Sequence, residues 1–303
     1  DQYGDDLYTQ IEFEVSGFQD TPDPIAQGGV TIGGDQTITL GETAILEGTN
    51  TVSETTYLFI VGPNLNPKGM QIGLNDPQTH PVIDANSTTF QAVKVQPNGS
   101  WSWNWNTTGT TLDPSAQYTI YAVSQPHDRA HLHSVPYAKT STGVKKAFVA
   151  ATLSSATVAP DETLSIRGYA SGTQKLLLWL FNAAEGPWRS EVVVSPDSPF
   201  TFEIPPSRFA ALPEGDYFLL IQHPGRNMKF DIDLDPNDSS LVRGFPSSPD
   251  GNPPGQRLFR ISGPGCLKSE EAVQALGQAI NNPTISDDTY TRLQFSVKRP
   301  KDR

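Results

Sequence analysis

Apolar and polar residues alternate along much of the chain. Ile11, Phe13 and Val15 are interleaved with Glu12, Glu14 and Ser16, and Trp101, Trp103 and Trp105 with Ser102, Asn104 and Asn106. Phe200, Phe202 and Ile204 flank Thr201 and Glu203, and Leu293, Phe295 and Val297 flank Gln294 and Ser296. Successive side chains of a strand point to opposite faces, so each segment predicts a half-buried strand. Tyr57 to Val61 and Leu176 to Phe181 are continuous apolar runs, which predict strands buried on both faces. Turn sequences such as Gly62-Pro63-Asn64, Asn66-Pro67-Lys68-Gly69 and Pro97-Asn98-Gly99 separate the runs. One segment has the helical period instead. From Ser269 to Ile280, Ala272, Val273, Leu276 and Ile280 share a face. Glu270 and Glu271 fall in its first turn, where the helix dipole favours acids, and Asn281-Asn282-Pro283 ends it. The expected fold class is all-β with one short helix near the C-terminus.

The landmarks occur twice in the same order. Gly41-Glu42-Thr43-Ala44-Ile45-Leu46-Glu47-Gly48 matches Asp161-Glu162-Thr163-Leu164-Ser165-Ile166-Arg167-Gly168. A continuous apolar strand follows each, then an aromatic alternating strand, then Leu112-Asp113-Pro114 before Tyr118 or Leu212-Pro213-Glu214 before Tyr217. This repeat predicts two tandem immunoglobulin-like, Greek-key β-sandwich modules, 1–148 and 149–303, the second carrying the helix and the last strand. Gly48 and Gly168 are expected to close an early strand with a turn that tolerates positive φ. Tyr118 and Tyr217 stand where a tyrosine hydroxyl fastens a corner of such sandwiches.

The length of 303 residues suits two domains, and 25 Gly with 26 Pro suits short strands and many turns. The net charge of −12 repels phosphate backbones, so nucleic acid is not an expected partner, whereas divalent cations are favoured. No apolar run reaches the roughly 18 residues of a membrane-spanning helix, so no membrane span is expected. The chain opens at Asp1 without Met and carries Asn-x-Ser/Thr sequons at Asn86, Asn98, Asn106 and Asn237. Together these read as a secreted, extracellular protein after signal-peptide removal, with four candidate glycosylation sites. Cys266 is the single cysteine, so it stays free or bridges to another copy of the chain.

Candidate chemistry is sparse. His127-Asp128-Arg129-Ala130-His131-Leu132-His133 puts His131 and His133 on one side of a strand near Asp128, a metal site or a polar loop between modules. Asp231, Asp233, Asp235 and Asp238 have the opening rhythm of a calcium loop. Pro236 and Val242 replace the Gly and Glu that an EF-hand needs, which leaves a looser oxygen-rich cation site or a solvated loop. The Trp101/Trp103/Trp105 row is a sugar-stacking platform or, as the matching Phe200/Phe202/Ile204 row favours, core. Gly-x-Ser-x-Gly, P-loop and Rossmann signatures are absent, so no enzyme and no cofactor are expected, apart from a structural divalent cation.

Four stretches resemble a domain repeated in envelope proteins of methanogenic archaea. They are Tyr57-Leu58-Phe59-Ile60-Val61-Gly62-Pro63-Asn64-Leu65, Gly99-Ser100-Trp101-Ser102-Trp103-Asn104-Trp105, Tyr118-Thr119-Ile120-Tyr121-Ala122-Val123 and Asp287-Asp288-Thr289-Tyr290-Thr291-Arg292-Leu293-Gln294-Phe295. The resemblance covers nearly the whole chain. It implies an S-layer or sheath component without catalytic residues, whose partners are copies of itself. Many such proteins add a stalk and a membrane anchor. This chain stops at Arg303, which points to a self-assembling sheath like those of filamentous methanogens. Ile11, Phe13 and Val15, with Leu293, Phe295 and Val297, mark terminal strands that either join a neighbour's sheet edge or complete their own sheet. The alternative function is a surface adhesin or carbohydrate-binding module.

Overall fold

The computed structural model describes residues 29–182, 188–196, 198–209, 212–245 and 255–299. The expected strand at Ile11, Phe13 and Val15 lies outside the described residues. The protein is almost entirely β. In the first sandwich, Thr43–Thr49 runs between Gly33–Gly34 and Ser100–Asn106 in a three-stranded antiparallel sheet. The facing sheet runs in the order Thr37–Thr39, Tyr137–Lys145, Gln117–Val123, Thr55–Val61, and the last of these also pairs with Met70–Gln71 and Gln91–Lys94. Alternation brings Leu46, Trp101 and Trp105 of the first sheet against Leu58, Ile60 and Ile120 of the second. Trp101 is 2% exposed, and Trp103 is half-buried and stacked on Trp105 at 6.1 Å. The tryptophan row is therefore core, and no exposed ring platform forms there.

The second sandwich repeats the plan. Val149–Leu153, Leu164–Ala170 and Pro199–Ile204 form one sheet. Thr157–Val158, Thr289–Val297, Gly215–His223, Lys175–Phe181 and Trp188–Val193 form the other. In both sandwiches the short first strand of the larger sheet lies parallel to the last long strand, Thr37 beside Gly143 and Thr157 beside Ser296. Leu176, Leu178 and Leu180 face the core between the sheets, with Ile166, Phe200, Leu219 and Phe295. Leu177, Trp179 and Phe181 point the other way and are buried too. Residues 224–245 and 255–288 fold over that outer face as the helix Ser269–Ile280 and a sheet of Ile232–Asp235, Asp238–Gly244 and Gln256–Arg260. In the first sandwich, Val82, Phe90 and Leu132 cover the outer face of Phe59, Tyr121 and Val123.

Both corner tyrosines are fastened as expected. The Tyr118 hydroxyl accepts from the Asp113 N–H at 2.9 Å, and the Tyr217 hydroxyl donates to the Pro213 carbonyl at 2.8 Å. Two local expectations are corrected. Gly48 and Gly168 lie inside strands Thr43–Thr49 and Leu164–Ala170, without the positive φ of a turn. Glycine is required there by close approach. A Cβ on Gly48 would meet the Thr31 carbonyl and the Trp101 ring, and one on Gly168 the Ala150 carbonyl and the Phe200 ring. His131 and His133 are not on a strand, because Arg129–Ser134 is a 3-10 helix capped by the Asp128 carboxylate accepting from the Ala130 N–H.

The sandwiches adjoin directly. One ends its last strand at Lys145 and the next begins at Val149. Ala147 is buried and Phe148 stacks on Tyr169 at 5.8 Å. The Gly109 N–H donates to the Arg226 carbonyl at 2.9 Å, Gly41 lies against Met228, and Gly172 against Glu42. If the Tyr217 corner is as described, Tyr217→Phe lowers stability by about 0.5–1.5 kcal/mol in urea unfolding. An unchanged midpoint would show the bond to be idle.

A buried carboxylate cluster as candidate cation centre

The covered outer face of the larger sheet of the second sandwich includes a fully buried polar side chain, Gln222. Its amide oxygen accepts from the Trp179 indole N–H at 2.8 Å. Its amide nitrogen donates to the Ile232 carbonyl at 2.9 Å and to Asp288 Oδ2 at 2.6 Å. Asp288 stands just before strand Thr289–Val297, and its Oδ2 also accepts from the Asp231 N–H at 3.0 Å. Asp231 precedes strand Ile232–Asp235, and its Oδ2 accepts from the Asp287 N–H at 2.9 Å. These crossed bonds draw three carboxylates together. Asp231, Asp287 and Asp288 each offer an oxygen, and the three oxygens lie within 4.8 Å of one another. Asp231 is 3% exposed and Asp288 1%.

The charge there is incompletely compensated. The Arg226 Nε donates to Asp287 Oδ2 at 3.0 Å, and Asn227 Nδ2 donates to both oxygens of Asp231 at 3.2 and 3.3 Å. Asp287 Oδ1 and Asp288 Oδ1 are buried without a hydrogen-bond partner. Burial, and then the neighbouring Asp231 charge, push Asp287 up to about 6 and Asp288 up to about 8. Nearby, the Gly225 N–H donates to His223 Nδ1 at 3.1 Å, which puts the ring proton on Nε2, facing the Ser171 carbonyl at 2.6 Å. Burial lowers the His223 pKa.

Of the four aspartates singled out by spacing, only Asp231 joins this cluster. Asp233 takes a bidentate pair from Arg189 at 2.6 and 2.7 Å, Asp235 meets Arg243 at 3.0 Å, and Asp238 meets Arg260 at 3.2 Å. Along a strand and hairpin each finds its own arginine, so the calcium-loop rhythm does not make one site. Asp287 and Asp288, absent from that set, supply the other two carboxylates. The signal available was the Asp287-Asp288 doublet opening the last strand. A second group, Asp84, Asp128 and His131, also lies within 4.8 Å, and His133 is not part of it. There His127 Nδ1 contacts Asp84 at 2.9 Å and His131 Nδ1 contacts Asp128 at 2.7 Å, so the polar atoms satisfy one another.

The remaining predicted residues are dispersed. Leu293, Phe295 and Val297 pack into their own sandwich, and their strand pairs along its whole length with Gly215–His223. Thr157–Val158 covers its other edge only at Ser296 and Val297. Cys266 is half-buried in a turn. Asn98, Asn106 and Asn237 are exposed and Asn86 half-buried. The side chains of Asn86, Asn98 and Asn106 accept from the N–H two residues on. A cleft of about 1000 Å³ lies between Asn50–Glu54 and Lys94–Gly99, and none of the three carboxylates lines it.

No family model matches the chain, and no curated protein matches it. Among solved structures it is similar to Escherichia coli alpha-2-macroglobulin at 10% identity and TM-score 0.25, covering 89% of this chain and 22% of that one. It is similar to an ice-binding, Ca2+-stabilized adhesin of an Antarctic bacterium at 14% identity and TM-score 0.25, covering 71% and 46%. A tetra-tandem repeat from the extending region of a large adhesion protein gives 14% identity and TM-score 0.25, covering 88% and 74%. The chain spans less than half the length of the first two. At these scores the likenesses carry no argument about function.

The raised carboxylates predict a pH dependence. Folded Asp287 and Asp288 retain protons that an unfolded chain, whose aspartates titrate near the ordinary 3.8, has released. Folded protein thus binds more protons over this window, and the contribution to stability is lost as pH rises from 3.8 towards 8. His223 acts oppositely, since its neutral form is favoured and stability is lost as pH falls through its range. In EDTA-treated protein, Asp288→Asn should flatten the decline of the melting temperature between pH 6 and 8. An identical slope in the variant would contradict the assignment.

Proposed function

We propose that the chain is a non-catalytic cell-surface protein that assembles with copies of itself into an outer layer, a sheath or S-layer. The observation that carries this reading is a sheet edge. Among the described residues, Ser100–Asn106 pairs only with Thr43–Thr49 and leaves its other edge open. It is seven residues long, without charge or proline, and exposes Ser102, Asn104 and Asn106. Soluble proteins guard such edges with lysine, proline or bulges, because a bare row of N–H and C=O groups recruits another strand. The equivalent strand of the second sandwich, Pro199–Ile204, begins with proline and exposes Glu203. The sequons Asn98 and Asn106 bracket this unguarded edge of the first sandwich.

Direct abutment of the two sandwiches also supports a mechanical role, because a subunit that transmits load needs a short, packed joint. The four sequons support extracellular placement. The secondary reading, a surface adhesin, draws on the polar cleft between Asn50–Glu54 and Lys94–Gly99, whose rim exposes Val52.

Electron microscopy of the purified protein should show ordered sheets or tubes. Ser102→Lys with Asn104→Lys should give folded monomers, since charges on the open edge block strand addition. A monodisperse wild type, or unchanged arrays from the variant, would reject edge assembly. Glycan binding at the cleft would then support the adhesin.

A further inference from the structure

We propose that Asp231, Asp287 and Asp288 bind one divalent, oxygen-preferring cation of the calcium class. Three carboxylates converge within 4.8 Å, and the Arg226 guanidinium pairs with one of them, Asp287. A carboxylate oxygen buried without a partner is costly, because it has lost water and gained nothing. Asp288, 1% exposed, has such an oxygen, and Asp287 supplies a second. A cation between them satisfies both; one proton shared between the two oxygens does so as well, but only the cation makes the melt depend on calcium.

The surroundings are built to hold the oxygens in place. Gln222, itself fixed by Trp179, and the Asp231 N–H hold Asp288 through its Oδ2, leaving Oδ1 unengaged. Arg226 likewise holds Asp287 through Oδ2. Gly225, at φ +61°, passes so close to Asp287 that a Cβ would collide with its Oδ1 and carbonyl oxygen. The donor set is all oxygen, with neither thiolate nor imidazole in the cluster, which favours calcium over zinc. Calcium also tolerates irregular geometry, whereas magnesium demands a near-ideal octahedron and retains its waters. The site lies beside the sandwich joint, since Arg226 pairs with Asp287 through its side chain and receives the Gly109 N–H on its carbonyl.

The test uses the full chain, stripped with EDTA and titrated with calcium chloride by calorimetry, with thermal melts in parallel. Binding of one calcium per chain is expected, in about the 10⁻⁴–10⁻³ M range of extracellular modules, with a rise in melting temperature. Asp287→Asn and Asp288→Asn should each weaken it by about tenfold or more, since each removes a charged ligand. Asp233→Asn, at the carboxylate paired with Arg189, should bind as wild type does. Asp287 is the more exposed of the two residues, so its variant keeps the test open if Asp288→Asn does not fold. No saturable heat and no calcium-dependent melt, or equal affinity in Asp287→Asn and wild type, would overturn the proposal. The readout is on single chains, so its failure is separate from failure of edge assembly.

Discussion

Each sandwich contains a sheet that is apolar on both faces, and the arrangement of the rest follows from the need to cover the outer one. Burying a large apolar side chain contributes about 1.5–3 kcal/mol, so leaving Leu177, Trp179, Phe181, Phe218 and Leu220 in water is not a stable option. The first sandwich meets the requirement economically, with loop residues such as Val82, Phe90 and Leu132. The second spends residues 224–245 and 255–288 on it, and these form a helix and a small sheet of their own. The two copies of one plan diverge mainly at this cover.

The cover has an electrostatic consequence. Its two ends, near Asp231 and near Asp287 and Asp288, come together against Gln222 on a mostly apolar face. Closing three carboxylates under the helix and small sheet opposes the apolar burial that drives the closure. Folds retain conflicts of this kind where a site needs them. The same loop turns back through Arg226 to meet Gly109 of the other sandwich, so cover, cluster and joint are one connected piece of structure.

Much of the fold was legible because its signals are local. Period-two alternation located the core strands, and the spacing of Ala272, Val273, Leu276 and Ile280 located the helix Ser269–Ile280. The Leu-x-x-x-x-x-Tyr and Leu-x-x-x-x-Tyr approaches identified both tyrosine corners. What failed depends on distant neighbours. Gly48 and Gly168 read as turn glycines because the sequence does not show that an aromatic ring and a strand carbonyl close over each. The histidine run alternates like a strand, but the Asp128 cap turns it into a 3-10 helix. Asp233, Asp235 and Asp238 shared a rhythm with Asp231, yet their partners are arginines from other strands. The carboxylates that do join Asp231 lie 56 and 57 positions away, a separation at which spacing carries no information.

The central structural claim is that the joint at residues 146–148, with the Arg226 and Gly172 contacts, holds the two sandwiches as one body. It is tested most directly by electron–electron distance measurement between nitroxides on cysteines introduced at Ser102 and Thr201, with Cys266 changed to serine. These exposed positions lie on different sandwiches. The account predicts a single narrow distance distribution. A broad distribution, or several populated distances, would show the sandwiches moving independently and would contradict it.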